Sequence, residues 1–194
     1  MRSAGPVRAT AAAPAAGAAD AARFGALIGP HIDAAYSLAR YLARDAAVAE
    51  DIAQEALLKA FRNLGALQGL PKPWLLAIVR NAYFDWRRRG DDHIVTGPAA
   101  EVALAEAPDD GHVSAEAGLI RQGDVAALRA AIEAIPEPFR EALVLRDLEE
   151  LSYREVADVT GAPIGTVMSR LARARRMLAE RMGVLEAQAV GAKP

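Results

Sequence analysis

Five arginines and one glutamate lie between Gly165 and Gly183, a local net of +4, and their spacing is what makes them chemically useful. Ile164, Val167, Leu171, Ala174 and Leu178 recur at steps of three and four, which predicts a helix with one apolar stripe. Gly165, Ser169, Ala172, Arg173 and Arg176 then face outward. A helix showing small residues and guanidinium groups on its exposed side fits the DNA major groove, where arginine reaches phosphates or the O6 and N7 of guanine. The elements that would hold this helix precede it. Ser152 and Glu155 stand at the spacing of a capping box and open a short helix that runs to about Thr160. Gly161 ends it, and Pro163 suits the first turn of the next. Leu151 to Met182 therefore reads as a helix-turn-helix; a solvated basic face on an ordinary helical hairpin would share the charge but has no need of the cap and turn.

A second set of candidate groups lies earlier. From Trp74 onward, Leu75, Ile78, Val79, Ala82 and Trp86 predict a buried stripe, while Arg80, Asn81, Phe84, Arg87 and Arg88 lie on or beside the opposite side. An aromatic ring among cations and an amide suits single-stranded or melted DNA, because bases stack on rings and cations follow the backbone. Phe84 would equally serve a core, and Arg87, Arg88 and Arg89 would equally complement a helix C-terminus. Two further helices are expected over residues 24 to 43 and 46 to 64, the second burying Val48, Ile52, Ala56, Leu57 and Phe61. Its other face shows Asp51, Gln54, Glu55, Leu58 and Arg62, a mixture suited to docking on a basic protein. Acidic residues that favour the helix macrodipole are the plainer reading of the same pattern.

The net charge of −2 over 194 residues hides a strong segregation. Residues 23 to 90 carry ten basic and six acidic side chains, residues 91 to 124 one and eight, and residues 125 to 183 nine of each. The acidic stretch 91 to 124 has Pro and Gly but no sustained apolar period, which marks a flexible linker. The expected architecture is all-α, with two small helical domains, 23 to 90 and 125 to 183, on an acidic tether. Residues 1 to 22, mostly Ala, Gly and Pro, are expected to be a disordered lead-in without the bulky apolar centre of a signal peptide, and 184 to 194 a C-terminal tail.

Enzymatic and metal chemistry find little support. The chain has no cysteine, so disulfides and thiolate metal sites are excluded and a reducing cytoplasm is expected. His31, His93 and His112 are scattered, GAPIGT lacks a phosphate-loop lysine, and Asp109-Asp110-Gly111 lacks the glutamate of a calcium loop. No enzyme activity, metal or cofactor is expected, and no apolar run approaches a membrane span.

Three segments carry a family resemblance: AEDIAQEALLKAFRNL, PWLLAIVRNAYFDWRRR, and IPEPFREALVLRDLEELSYREVADVTGAPIGTVMSRLARARRML. From about Phe24 to Met182 the chain resembles an extracytoplasmic-function (ECF) RNA polymerase sigma factor, with a region 2-like domain before the linker and a region 4-like domain after it. The resemblance implies a bacterial initiation factor that binds core polymerase, recognises the minus-35 and minus-10 elements of a stress- or envelope-type promoter, and melts the latter. It places Asp51, Gln54 and Glu55, with Leu58 on the same face, against the β′ clamp helices. Residues 63 to 73 fall where the family captures a flipped minus-10 base, and Arg80, Asn81, Phe84, Arg87 and Arg88 along the non-template strand. Gly165, Thr166, Met168, Ser169, Arg170, Arg173 and Arg176 fall on the minus-35 helix. Phe139 to Leu148 would lie nearest the β flap, and the acidic linker would thread toward the RNA exit path. An anti-sigma partner is likewise implied. Met168 and Ala172 depart from the basic and aromatic residues common at those positions, so the minus-35 sequence does not follow from the resemblance; nor does the flipped-base preference, because the loop carries Pro71 and Pro73. The alternative from another class is a repressor or activator that uses the same helix-turn-helix without joining polymerase as a sigma subunit. A polymerase-binding protein that has lost promoter melting is the third.

Overall fold

A computed structural model of the chain describes the backbone of residues 13–91 and 125–191. The lead-in up to residue 12 and the linker from 92 to 124 lie outside the described residues. All regular structure among the described residues is helical.

Helix α1 (Ala13–Ile28) begins within the segment expected to be disordered. Alanine carries the lowest cost of helix formation of any residue, and Pro14 falls in the first turn, where its missing N–H removes no bond. The single helix expected over 24 to 43 is two. Gly29 and Pro30 break it into a 3₁₀ turn (Gly29–His31) before α2 (Ile32–Ala43), since proline cannot supply an interior N–H. Arg44 then takes a left-handed conformation (φ 62°), and the Asp45 carboxylate caps α3 (Ala46–Arg62) by accepting from the Val48 N–H at 2.9 Å.

Helix α3 buries Ala49, Ile52, Ala53, Ala56 and Ala60, small side chains that let α2 and α4 come close. Phe61, expected in this stripe, is 44% exposed and instead sets its ring edge-on to Phe24, centroids 5.2 Å apart. A stripe of alanines narrows the buried face, and a large ring at its margin is left outside. Helix α4 (Pro71–Asp91) starts three residues before Trp74, with Pro71 and Pro73 both in the first turn. It buries Leu75, Leu76, Val79, Ala82 and Tyr83, whereas Trp86, expected inside, is 38% exposed. The reason is that α4 has neighbours on two sides, α2 and α3 on one and the second domain on the other, so its buried arc is wider and rotated.

The second domain begins with α5 (residues 125–133), turns at Ile135 and Pro136, and continues through α6 (Glu137–Leu143) into a π-helical turn (Val144–Leu148). Leu143, Val144, Leu145, Val156, Val159, Val167, Leu171 and Ala174 form its interior. The capping box is complete: Ser152 Oγ accepts from the Glu155 N–H at 3.2 Å, and the Ser152 N–H donates to Glu155 Oε2 at 2.7 Å. It opens α7 (Tyr153–Thr160), which Gly161 closes at φ 65°, a left-handed conformation that glycine adopts without strain. The Pro163 carbonyl accepts from the Thr166 and Val167 N–H groups, so Pro163 stands just outside α8 (Ile164–Gly191) and not in its first turn. Ile164, expected on the apolar stripe, is 45% exposed at the first residue of α8. The segment from 184, expected as a tail, continues α8 as far as Gly191.

Hydrogen bonds to the Ser152 side chain first, and to its backbone second, hold the Glu155 carboxyl below its ordinary range. Such a depressed group stabilises the fold above its unfolded value and loses that contribution as pH falls through the folded one. Ser152→Ala is therefore expected to cost about 1 kcal/mol at pH 7 and to flatten the loss of stability as pH falls below the unfolded value of 4.5. Denaturant titrations at pH 7 and across the acid range check both; an unchanged midpoint would mean that the box does not stabilise α7.

Candidate nucleic-acid interface

The outer face of α8 is assembled as its period demands. Gly165, Met168, Ser169, Ala172, Arg173 and Arg176 are exposed, with Thr166 and Arg170 half-buried beside them. Four of the five arginines divide by partner. Arg175 makes a two-pronged contact with Asp147 of the π-turn, at 2.9 and 2.6 Å, and that carboxylate raises its pKa further above the ordinary range. Arg181 donates to the Ala134 carbonyl at 3.1 Å. These two brace α8 against the domain. Arg176 touches Glu180 only at 3.9 Å with both side chains exposed, and Arg173 lies 6.0 Å from the Phe139 ring, so both remain available to a partner. The Ser169 hydroxyl donates to the Thr166 carbonyl at 2.9 Å.

On α3, Asp51, Gln54 and Leu58 are exposed, and Leu58 is 56% so. Glu55 is spoken for: it accepts from Lys59 at 2.9 Å and from Arg89 at 2.9 Å, and hydrogen bonding to Lys59, then to Arg89, holds its carboxyl below the ordinary range. Lys59 reaches on to Asp85 at 3.2 Å, and Asp85 pairs with Arg88. This chain of charges ties α3 to α4, so the expected acidic face is narrower than its composition suggested.

All five residues singled out on α4 meet around one open hollow of about 380 Å³, lined by Arg80, Asn81, Phe84, Arg87 and Arg88. The Phe84 ring lies between two guanidinium groups, Arg80 at 4.6 Å and Arg87 at 5.1 Å, and meets Tyr83 edge-on at 5.1 Å. A flat π-face flanked by cations is the arrangement on which an unstacked base and its phosphate would rest. Three further residues belong to this place and were missed. Arg80 Nε donates to Glu141 Oε1 at 2.6 Å, Arg87 Nη1 to Glu137 Oε2 at 2.6 Å, and the Tyr83 hydroxyl to the same Glu137 oxygen at 2.8 Å. Burial, then the bond to Glu137, pushes the Tyr83 hydroxyl pKa up; burial also raises the Glu141 carboxyl, with Arg80 opposing. A signal was available in the spacing: Glu137 and Glu141 lie one helical turn apart, and Arg80 and Arg87 two turns apart, each pair on one face.

Residues 27–92 match the family described as Sigma-70 region 2, and residues 126–178 the family described as Sigma-70, region 4. Helix-turn-helix and arginine-lined hollow thus sit in the two regions that together define a sigma-70-type transcription initiation protein. The chain is 37% identical over 140 residues to the RNA polymerase sigma-H factor of Pseudomonas aeruginosa, covering 69% of this chain and 72% of that relative. It is 32% identical over 170 residues to the ECF RNA polymerase sigma factor SigM of Mycobacterium tuberculosis, covering 87% and 81%. Among solved structures it is similar to the sigma factor RpoE of Bartonella quintana in complex with the anti-sigma factor NepR, at a TM-score of 0.69 and 26% identity, covering 84% of this chain and 98% of that one. The chain belongs to the ECF family of RNA polymerase sigma factors.

The division of the arginines gives a direct test. Arg175→Ala is expected to destabilise the second domain by about 0.5–1 kcal/mol through loss of the Asp147 pair, with Arg176→Ala inside roughly 0.5 kcal/mol of the parent. Thermal melts read by circular dichroism check this; equal melts for the two variants would remove the bracing role of Arg175.

Proposed function

We propose that this sigma factor reads the minus-35 element with the outer face of α8 and holds the melted non-template strand of the minus-10 element on α4. In the first contact, Arg170, Arg173 and Arg176 supply the charge and Gly165, Thr166, Met168 and Ser169 the close-fitting surface. In the second, Phe84 offers a stacking face while Arg80, Asn81, Arg87 and Arg88 follow the backbone. Unstacking a base costs a few kcal/mol, which stacking and capture by the segment from 63 to 73 offset without a fuel molecule. Asp51, Gln54, Glu55 and Leu58 form the docking face for the β′ clamp helices of core polymerase, and α6 with its π-turn lies toward the β flap. The linker from 92 to 124 serves as the connector toward the RNA exit path. The protein makes no covalent bond itself; polymerase carries the chemistry. It works in the cytoplasm, and no helix among the described residues is long and apolar enough to cross a membrane. An anti-sigma protein is its expected inhibitor; the similar factor of Bartonella quintana was solved in complex with one, NepR.

The observation that carries this reading is the convergence of Arg80, Asn81, Phe84, Arg87 and Arg88 on one hollow, in the same chain as a groove-shaped arginine face. Run-off transcription with purified host core polymerase tests it: a promoter-specific product is expected, and a repressor or activator would give none. Permanganate reactivity at the minus-10 region is expected to appear with the product; a stable core complex without it would leave binding but no melting. Arg173→Ala is expected to weaken promoter binding by roughly 1–3 kcal/mol if its contact is bidentate, read by the shift in half-saturation, and an unchanged affinity would remove that contact. Asp51→Arg is expected to weaken core binding through like-charge contact. Because Asp51 is exposed and outside the Glu55 network, that variant keeps the fold; retained core affinity would take the docking face away from α3.

A further inference from the structure

We infer that the exposed apolar side chains at the start of α8 read thymine through its C5-methyl group, so that Met168, with Ile164 beside it, sets the base preference of the minus-35 contact. The inference rests on the proposed seating of α8 in the major groove. Ile164 is 45% exposed and Met168 53%, and Ala172 one turn further on is exposed as well. Residues four apart share one face of a helix, so these three make a single outward row, apart from the interior row of Val167, Leu171 and Ala174. An apolar side chain standing alone in water needs no explanation; a run of them on the helix that carries free guanidinium groups is a surface. Beside the row a Cβ on Gly165 would meet nothing within 4 Å, so the protein's own atoms leave this approach clear.

What the row would meet follows from its surroundings. It runs on at the same spacing into Arg176, which is exposed. The parallel row is Gly165, Ser169 and Arg173, and the Ser169 hydroxyl already gives its proton to the Thr166 carbonyl at 2.9 Å. The leading half of the face is therefore apolar and the trailing half cationic. DNA offers the matching pair: thymine displays a methyl group in the major groove, and phosphates line the groove's edges. The other three bases present hydrogen-bonding groups there instead, which a thioether leaves without a strong partner. Met168 is also long and flexible enough to settle against a methyl group in its path. From Ile164 to Met168 the helix rises about 6 Å, against about 3.4 Å for each base along a strand. Two adjacent thymines thus fall within reach of the pair.

Holoenzyme reconstituted with host core polymerase is used to select fluorescein-labelled promoter duplexes from a library randomised across the minus-35 window. Thymine is expected at one or two adjacent positions. Uracil in place of those thymines removes the methyl groups and keeps every hydrogen-bonding group, and is expected to weaken binding about fourfold for each methyl lost. Met168→Ala, which favours helix at an exposed site, is expected to bind the thymine duplex more weakly than the parent and to be indifferent to the uracil exchange. Met168→Gln is expected to move the preference toward adenine, whose N6 and N7 pair with an amide. Arg176→Ala is expected to weaken both duplexes alike and to keep the uracil effect. Equal binding of the two duplexes by the parent overturns the methyl contact, as does a uracil effect undiminished in Met168→Ala. Loss of core affinity in Met168→Ala with unchanged duplex selection gives the row to a protein partner and overturns it too. No enriched minus-35 sequence, with Arg173→Ala silent, defeats the proposed function and the methyl contact together; an enriched sequence indifferent to uracil defeats the methyl contact alone.

Discussion

Arg140 is the buried guanidinium on which the junction of the two domains turns. Two of its carbonyl partners, Glu133 and Ile135, belong to the loop and helix just before it, and the third, Leu42, closes the C-terminal turn of α2. The last carbonyls of a helix lack intrahelical donors, so α2 presents a ready site for a cation. Arg44, left-handed at the same helix end, reaches in the other direction to the Ile135 carbonyl at 3.5 Å. Two arginines thus cross at one joint, each serving the other domain's backbone. Burial of Arg140 first, and the nearby charge of Arg44 second, depress the Arg140 pKa, yet arginine stays charged across the physiological range. The joint is therefore a permanent pair of like charges steadied by backbone dipoles, with the carboxylates Glu133 and Glu137 nearby.

From that joint the positions of the other groups follow. With α6 anchored beside the end of α2, Glu137 and Glu141 on one face of α6 are carried against α4, and the π-turn after it brings Glu149 to Lys72, which donates to its carboxylate and, at 2.7 Å, to its carbonyl. The same turn carries Asp147 to the opposite side, where it holds Arg175 of α8. One short segment, 137 to 149, thereby alternates partners: its carboxylates at 137, 141 and 149 face the first domain, and Asp147 faces the helix that would enter a groove. A π-turn admits one more residue per turn than an α-helix, which is what shifts Asp147 and Glu149 to different sides.

Much of this was legible from residues alone because local rules act over a few positions. The capping box at Ser152 and Glu155, the stop at Gly161 and the outward set on α8 depend on spacing within a single turn or helix. The five residues of the α4 hollow were legible for the same reason. What escaped were facts set by neighbours distant in sequence. Phe61, Trp86 and Ile164 fit their helical stripes by period, but whether a stripe position is covered depends on how wide the facing element is. Alanines on α3 make that face narrow, and the second domain against α4 rotates its buried arc to Leu76 and Tyr83. Counting charge treated Arg175 and Arg181 as equal to Arg173 and Arg176, since composition cannot say which guanidinium already has a carboxylate or carbonyl. Nor can composition say that Glu55 is held by Lys59 and Arg89. The helical start at Ala13 escaped for a different reason: an Ala, Gly and Pro composition suggests disorder, whereas alanine by itself favours helix.

The distribution of partnered and unpartnered arginines bears on how, on the proposed roles, one chain would handle two DNA surfaces of different kinds. The α8 helix is braced by Arg175 and Arg181 and leaves Arg173 and Arg176 exposed, which on the proposed role would suit a helix that meets an undistorted duplex and gains by releasing counterions. The α4 face is aromatic and would meet single-stranded bases, whose stacking is tolerant of sequence and whose backbone is flexible. An unguarded surface of that kind would hold any exposed strand or acidic protein. Arg80 and Arg87 of that face already pair with Glu141 and Glu137, so on the proposed role a strand backbone would compete with those carboxylates for them.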